Sequence, residues 1–484
     1  MTRRSSVRPA LPASLGLVMS LVAVVVTGSA CLVKKPPDAT ALKGEALPHT
    51  EVPGAWAAAS SAGTGTVTDN WLASFNDAQL SAAVAEAIAN NTDLRVAAAR
   101  VEQAQLYAKL AGAKLYPSAD VLARGGGKLS GDNSGLKGAV LSINWELDLW
   151  GRVRYGRAAA SADAGASEAD FEFARQALAA TVARSWFLAT EAGLQAEMAR
   201  TTISNGEELV RLAGARSQIG VGNDEDVFVA RANVGTYRDA LRQVELAREQ
   251  AIRALELLLG RYPSAAAAVT VQLPGQPPSV PSGLPSELLE RRPDVVAAER
   301  RVAAAFHRVH EAKAARLPAI ALTTGVSSIS SDLFVLQDRD NPVWNAGANL
   351  LMPIFRGGAL KRQVEIRSAE QKQAVATYAS VGLRAFSEVE NALASEFAAR
   401  EREQILAQTL ADNQRAAEIV RTQFKVGSTD LRFVTQRELA LNATQSALIR
   451  VQAEQRVQRV NLHLALGGSF EPRPQPQPQP TPTK

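Results

Sequence analysis

Leu141-Ser142-Ile143-Asn144-Trp145-Glu146-Leu147-Asp148-Leu149 is the stretch on which the fold turns. Apolar and polar residues alternate at all nine positions, the period of a strand with one greasy and one wet face. Upstream, Ser118 to Arg124 can pair with it across the Gly/Ser/Asn-rich stretch from Gly125 to Gly135. The plan recurs downstream. Ala319 to Val326 and Val343 to Leu351 flank a loop holding Asp332, Asp338, Asp340 and Pro342. Each half of the chain thus offers one hairpin inserted between helices.

The recurrence is an internal duplication. Asp93 and Asp294 begin matching stretches 201 residues apart, and Leu94, Ala97, Val101, Ala104, Ala108 and Ala111 align there with Val295, Ala298, Val302, Ala305, Val309 and Ala312. Pro117 aligns with Pro318. Further on, Trp150 aligns with Phe355 and Val221-Gly222 with Val426-Gly427, at an offset of 205. Two copies imply a pseudo-symmetric body rather than a solenoid, which needs three or more.

Around the hairpins the period is helical. Leu80 to Leu115 reads as one helix, with Leu94, Val101, Ala108 and Leu115 spaced by seven and an alanine three residues after each of the first three. Gly151 to Ile219 and Gly358 to Phe424 follow without a proline. At 1.5 Å per residue each runs to about 100 Å of helix. Each ends in a glycine turn and a return helix, to Leu259-Gly260 and to Leu466-Gly467. Helices of this length need lateral partners throughout.

The organisation expected is a signal peptide over 1–30, an acylated and loose arm over 31–69, a first repeat over 70–262 and a linker over 263–285. A second repeat over 286–468 and a Pro/Gln-rich tail over 469–484 complete it. Arg3, Arg4 and Arg8 precede the apolar run Leu15 to Val26, which reads as an export signal and is short for a helix that spans a bilayer. Thr27-Gly28-Ser29-Ala30-Cys31 then resembles a bacterial lipoprotein cleavage box, although Gly28 stands where such boxes usually carry Leu. Cys31 is the chain's one cysteine and is read as the acylated N-terminus. Leu32 and Val33 after it, rather than an acid, resemble the signal for release toward the outer membrane.

Without the first thirty residues, 50 basic residues face 48 acidic ones, with no dense Lys/Arg run, which argues against nucleic acid as a partner. After the signal no stretch of about twenty apolar residues exists, so a membrane can be crossed only by a closed β-barrel. Four strands cannot close one, since barrels start at eight. Several copies must then share a barrel; the alternative is a soluble α+β protein carrying two hairpins on a helical bundle.

Nothing supports catalysis or a cofactor. His307 and His310 have the i, i+3 spacing of a metal pair, but fall off the heptad seam and read as solvated surface histidines. No phosphate loop, nucleophile elbow or His/Cys cluster occurs. Asn223-Asp224-Glu225-Asp226 lacks the alternating oxygens of a calcium loop and reads as a cap for the returning helix, as do Ser428, Thr429 and Asp430.

Several blocks carry a resemblance: Asn70-Trp71-Leu72-Ala73-Ser74-Phe75-Asn76-Asp77, Asn91-Thr92-Asp93-Leu94, and Trp145-Glu146-Leu147-Asp148-Leu149-Trp150-Gly151-Arg152. To these the second half adds Arg291-Arg292-Pro293-Asp294-Val295, Met352-Pro353-Ile354-Phe355-Arg356-Gly357-Gly358 and Leu464-Ala465-Leu466-Gly467-Gly468. From about residue 31 to 470 the chain resembles the TolC-type outer-membrane efflux factors, in the lipoprotein branch that serves resistance-nodulation-division pumps. The resemblance implies a mainly α fold with a membrane β-barrel portion: a homotrimer with one twelve-stranded barrel and a periplasmic tunnel of long helices. It further implies a periplasmic adaptor protein, an inner-membrane pump and outer-membrane lipid as partners. Cys31 would be the lipidation site, and Gly222, Asp224, Glu225, Asp226, Gly427 and Asp430 the periplasmic tip and gate. The family often places acids a few residues after the second tip glycine; this chain has Phe433 and Gln436 there. The function implied is a passive exit duct for drugs or other small molecules. A polypeptide-secretion duct and a periplasmic coiled-coil scaffold are the rival readings.

Overall fold

Where the alternating stretch was read, a four-stranded antiparallel sheet forms, in the order β1 (Ser118–Arg124), β2 (Lys137–Leu147), β3 (Ala319–Ser330), β4 (Val343–Leu351). The computed structural model describes residues 33–58, 67, 69–124, 137–276, 278, 280–281, 283, 285–330 and 343–472. Cys31, the stretch expected to be an export signal, the loop with Asp332, Asp338, Asp340 and Pro342, and the tail from 473 lie outside the described residues.

The helices are α1 (Ala39–Ala46), α2 (Ala78–Asn90), α3 (Thr92–Ala113), α4 (Arg152–Gln218), α5 (Asp224–Leu258), α6 (Pro293–Ala314), α7 (Ala359–Lys425) and α8 (Leu431–Ala465). Duplication is visible in their lengths. α3 and α6 have 22 residues each, α4 and α7 have 67, α5 and α8 have 35. α3 and α6 start 201 residues apart, but α4 and α7, and α5 and α8, start 207 apart. The strand registers agree, with Ser118 opposite Asn144 and Ala319 opposite Leu351. The offset is therefore 207 rather than 205 from the second strand of each hairpin onward, and the six extra residues of the second copy fall between Ala319 and Leu351.

Two further expectations are corrected. The helix from Leu80 to Leu115 is broken at Asn91, whose φ of −62° and ψ of 128° end α2. Its side-chain oxygen accepts the Leu94 N–H at 3.0 Å, so one residue closes α2 and caps α3. The arm is not loose where described. Asp38 caps α1 by accepting the Ala41 N–H at 2.8 Å, and Leu42, Leu47 and Trp56 are buried.

The chain folds as two units. The first comprises the described residues within 1–48, 102–166 and 298–378, and contains the sheet. There the Lys34 N–H donates to the Tyr155 hydroxyl at 3.0 Å. The second comprises the described residues within 49–101, 167–297 and 379–484, with a core built around Trp71, Phe75, Leu80, Val84, Phe187, Leu255 and Val460. Asn70 and Asn76 take left-handed conformations that asparagine tolerates, and bracket the 3₁₀ turn Trp71–Phe75. Asp77 then caps α2 through the Leu80 N–H and accepts the Trp186 indole N–H at 3.0 Å. Arg292, almost fully buried, donates to Asp294 and Glu388 at 2.7 Å and to the Ala465 carbonyl oxygen at 3.2 Å. Pro293 opens α6, where its missing N–H costs nothing.

Candidate functional site

Two places carry the arrangement that matters: the faces of the sheet, and the turns that end α4 and α7.

Residues directly opposite in an antiparallel pair share a face. Across the sheet Val121 meets Leu141, which meets Val326, which meets Trp344. Trp145 meets Leu322 and Leu147 meets Ile320, itself opposite Leu350. The other face aligns Ser118 with Asn144 and Thr323, Asp120 with Ser142, and Ala321 with Glu146 and Asn349. One side is thus mainly apolar near the helices, with Thr324, Ser328 and Lys137 among its residues, and the other carries most of the polar side chains, with Leu122, Val140 and Val343 among them. β2 pairs with β3, joining the two hairpins into one sheet, which leaves β1 and β4 as its edges. Periodicity within a strand marks its faces but names no distant partner, so this junction was not legible.

The block after β2 is a strand-to-helix joint. Glu146 accepts Arg152 in a two-pronged pair at 3.1 and 2.6 Å. Asp148 caps α4 by accepting the N–H groups of Val153 and Arg154 at 3.0 and 2.9 Å. The Trp145 indole donates to the Leu115 carbonyl oxygen and that of Trp150 to the Pro318 carbonyl oxygen, at 2.9 and 2.8 Å. Gly325 must be glycine, because a Cβ there would lie 2.7 Å from the Leu141 carbonyl oxygen.

At the far ends of the long helices, the two turns are built alike. Gly220 and Gly427 take φ of 75° and 83°, the left-handed region where glycine is unstrained. The Gly220 N–H donates to the Ser217 carbonyl oxygen and Val221 N–H to that of Arg216, at 3.0 and 3.1 Å. Gly427 and Ser428 repeat this with Phe424 and Gln423, at 3.1 and 2.9 Å, so both helices end in a Schellman motif. The equivalent of Gly427 is therefore Gly220, not Gly222. Gly222 serves differently: a Cβ on it would lie 3.0 Å from the Arg216 Cβ.

The expected tip acids gather at these turns. Asn223 caps α5 by accepting the Asp226 N–H at 2.8 Å, and Ser217 donates to Asp224 at 2.6 Å. Asp224, Glu225 and Asp430 are exposed. Asp430 occupies the cap position of α8 without a side-chain cap bond. Burial, the negative charge of Asp430 and that of Glu225 push the Asp226 carboxyl above its ordinary range, against the pull of Arg216. Under the turns lie Ala230, Phe424, Leu431 and Val434, all buried. Sequence reading missed Arg216, which donates to the Phe424 carbonyl oxygen, and the pair of Arg421 with the buried Glu438. A cation in the last turn of α4 was the available signal for the first. Phe433 and Gln436 are both exposed.

The histidine reading needs correction. His307 is buried, and with His310 it packs around Tyr155, whose ring stacks 5.2 Å from that of His310. Burial pushes both imidazoles below their ordinary pKa. α6 buries this second stripe as well as its heptad seam. Among the described residues no group of three or more potential metal ligands is clustered, and no helix is long and apolar enough to cross a membrane.

Residues 83–261 and 284–468 match the family model described as outer membrane efflux protein. The cation efflux system protein CusC of Escherichia coli O6:H1 is 32% identical over 408 residues, covering 83% of this chain and 88% of that one. The pyoverdine export outer membrane protein OpmQ of Pseudomonas aeruginosa is 31% identical, over 83% of this chain and 87% of that one. Among solved structures, the outer-membrane channel OprN superposes with a TM-score of 0.78 at 26% identity, covering 88% of this chain and 99% of that chain.

Proposed function

The chain belongs to the outer membrane efflux protein family, and we propose that three copies close one twelve-stranded barrel, the outer-membrane exit of a pump-driven efflux system. The two-faced sheet with open β1 and β4 edges carries this reading. Lipid offers no hydrogen-bond partner to a backbone group, so exposed edges in a membrane must be paired, and four strands are too few to pair with themselves. Three copies bring β4 of each against β1 of the next. The apolar face with Leu141, Trp145, Val326 and Trp344 then meets lipid, and the face with Asn144, Glu146 and Asn349 lines water.

The duct is passive: small molecules enter from an inner-membrane pump, and a periplasmic adaptor holds the two together. Gly222, Asp224, Glu225, Asp226, Gly427 and Asp430, with Gly220 and Arg216 added, form the periplasmic tip and gate. Cys31, acylated, anchors the chain to the outer membrane.

Single-channel recording on purified protein in planar lipid is the test. Discrete conductance steps from a heat-modifiable trimer are expected. A water-soluble monomer that forms no pore overturns the proposal.

A further inference from the structure

The helical turns bordering the sheet are strongly cationic. Each strand has one end joined to a helix, and the twelve residues beyond those ends are 106–117, 148–159, 307–318 and 352–363. Together these 48 residues hold eleven Lys and Arg against two acids, Asp148 and Glu311. From residue 31 onward the chain has 50 basic and 48 acidic residues, so everything outside this belt has an acidic excess of seven. The positive charge is therefore localised, not a sample of the composition.

It is also free. Lys109, Lys114, Arg157, Lys313, Arg316 and Arg356 are all exposed, and none forms an ion pair among the described residues. Interleaved with them, next to the strands, Tyr116, Trp150, Met352, Ile354 and Phe355 expose large apolar surface. Aromatic and apolar side chains beside a band of cations are the anatomy of a membrane–water interface, where the headgroup phosphates lie.

We propose that this belt binds the phosphate groups of anionic glycerophospholipids in the periplasmic leaflet. The proposal rests on the shared-barrel reading above, which sets the belt at the depth where the lipid-facing surface ends. It also answers a problem that closure creates. Meeting of β4 and β1 brings the end of α3 beside the start of the next copy's α7. Neither 106–117 nor 352–363 contains an acid, and of their cations only Arg362 is paired, with Glu365, so two cationic segments adjoin with most of their charge unbalanced. A phosphate at that seam relieves the repulsion and joins neighbouring copies.

The test uses the full-length trimer in nanodiscs of equal phosphatidylglycerol and phosphatidylcholine, with retained lipid counted by native mass spectrometry. Wild type should retain phosphatidylglycerol over phosphatidylcholine by roughly tenfold, since each juxtamembrane cation adds appreciable attraction. In about 0.5 M salt, where screening is nearly complete within a few ångströms, the preference should collapse. It should also fall toward unity in the combined variant Lys109→Gln, Lys114→Gln, Arg157→Gln, Lys313→Gln, Arg316→Gln, Arg356→Gln, whose conductance stays at the wild-type level. Equal retention of both lipids by wild type, or a preference indifferent to salt, overturns the proposal even if the variant fails to assemble. A variant that keeps the lipid preference but changes anion-to-cation permeability puts these cations in the lumen and overturns it too. Loss of the pore in wild type refutes the shared barrel itself, a separate result.

Discussion

The guanidinium of Arg216, in the last turn of α4, lies 4.5 Å from the ring centre of Phe424, in the last turn of α7, and donates to its carbonyl oxygen. One side chain thus fastens the end of one repeat's long helix to the end of the other's. It places a cation where the α7 carbonyls point outward, the favourable end of the dipole.

Arg216→Ala removes a charge-assisted hydrogen bond and a cation–π contact, worth about 2 kcal/mol at this partly exposed site. That corresponds to roughly thirtyfold more frequent local opening. Hydrogen exchange should quicken over residues 421–430 while the melting temperature of the trimer barely moves. Arg216→Lys should recover less than half, because an ammonium neither stacks nor forks. Unchanged exchange in Arg216→Ala would remove Arg216 from the proposed gate.

Gly220→Ala and Gly427→Ala should each cost about 1–2 kcal/mol, the penalty for an L residue in the left-handed region. Gly222→Ala carries no such penalty and should act through its contact with Arg216. Denaturant or thermal shifts of the three variants check this. Equal effects of Gly220→Ala and a control alanine substitution at exposed Ser428 would count against the Schellman assignment.

His463 is buried against Trp71 with Arg459 nearby, and its pKa is pushed down to about 3. In the unfolded chain an imidazole titrates near 6.5, so between about 6.5 and 3 the unfolded state holds the extra proton. Stability contributed here is complete above pH 6.5 and falls by about 1.4 kcal/mol per pH unit below it. His463→Gln should flatten this part of the stability–pH curve, read by thermal melting from pH 7.5 to 4.5. A slope identical to wild type refutes the assignment.

Arg292→Ala strands Asp294, Glu388 and the Ala465 carbonyl oxygen. Both carboxylates are partly exposed and regain water, so a loss of about 2–3 kcal/mol is expected rather than more. Trimer yield and melting temperature should both drop. A variant as stable as wild type would show that this network is expendable.

Cys31→Ser should abolish incorporation of radioactive palmitate while leaving barrel and pore intact. Undiminished labelling would place the acyl chain elsewhere.

Strand alternation, the proline-free long helices and the turn glycines were legible because each is a local pattern of the backbone. The Asn91 break was written in the sequence too, as a capping residue three before Leu94, yet the heptad ran across it unbroken. His307 was misplaced because a seven-residue period marks one packing stripe, while α6 buries two. Gly220 was passed over for Gly222 because matching letters outweighed matching lengths, although Leu259-Gly260 and Leu466-Gly467 already stood 207 apart.

Period, chain breakers and composition by themselves determined two repeats, four strands and the long helices. Pairing of β2 with β3, burial of His307 and His463, and the meeting of Arg216 with Phe424 were decided only in three dimensions. A residue's own neighbours in the chain set its backbone preference, whereas its partners across a sheet or between helices depend on segments hundreds of residues away.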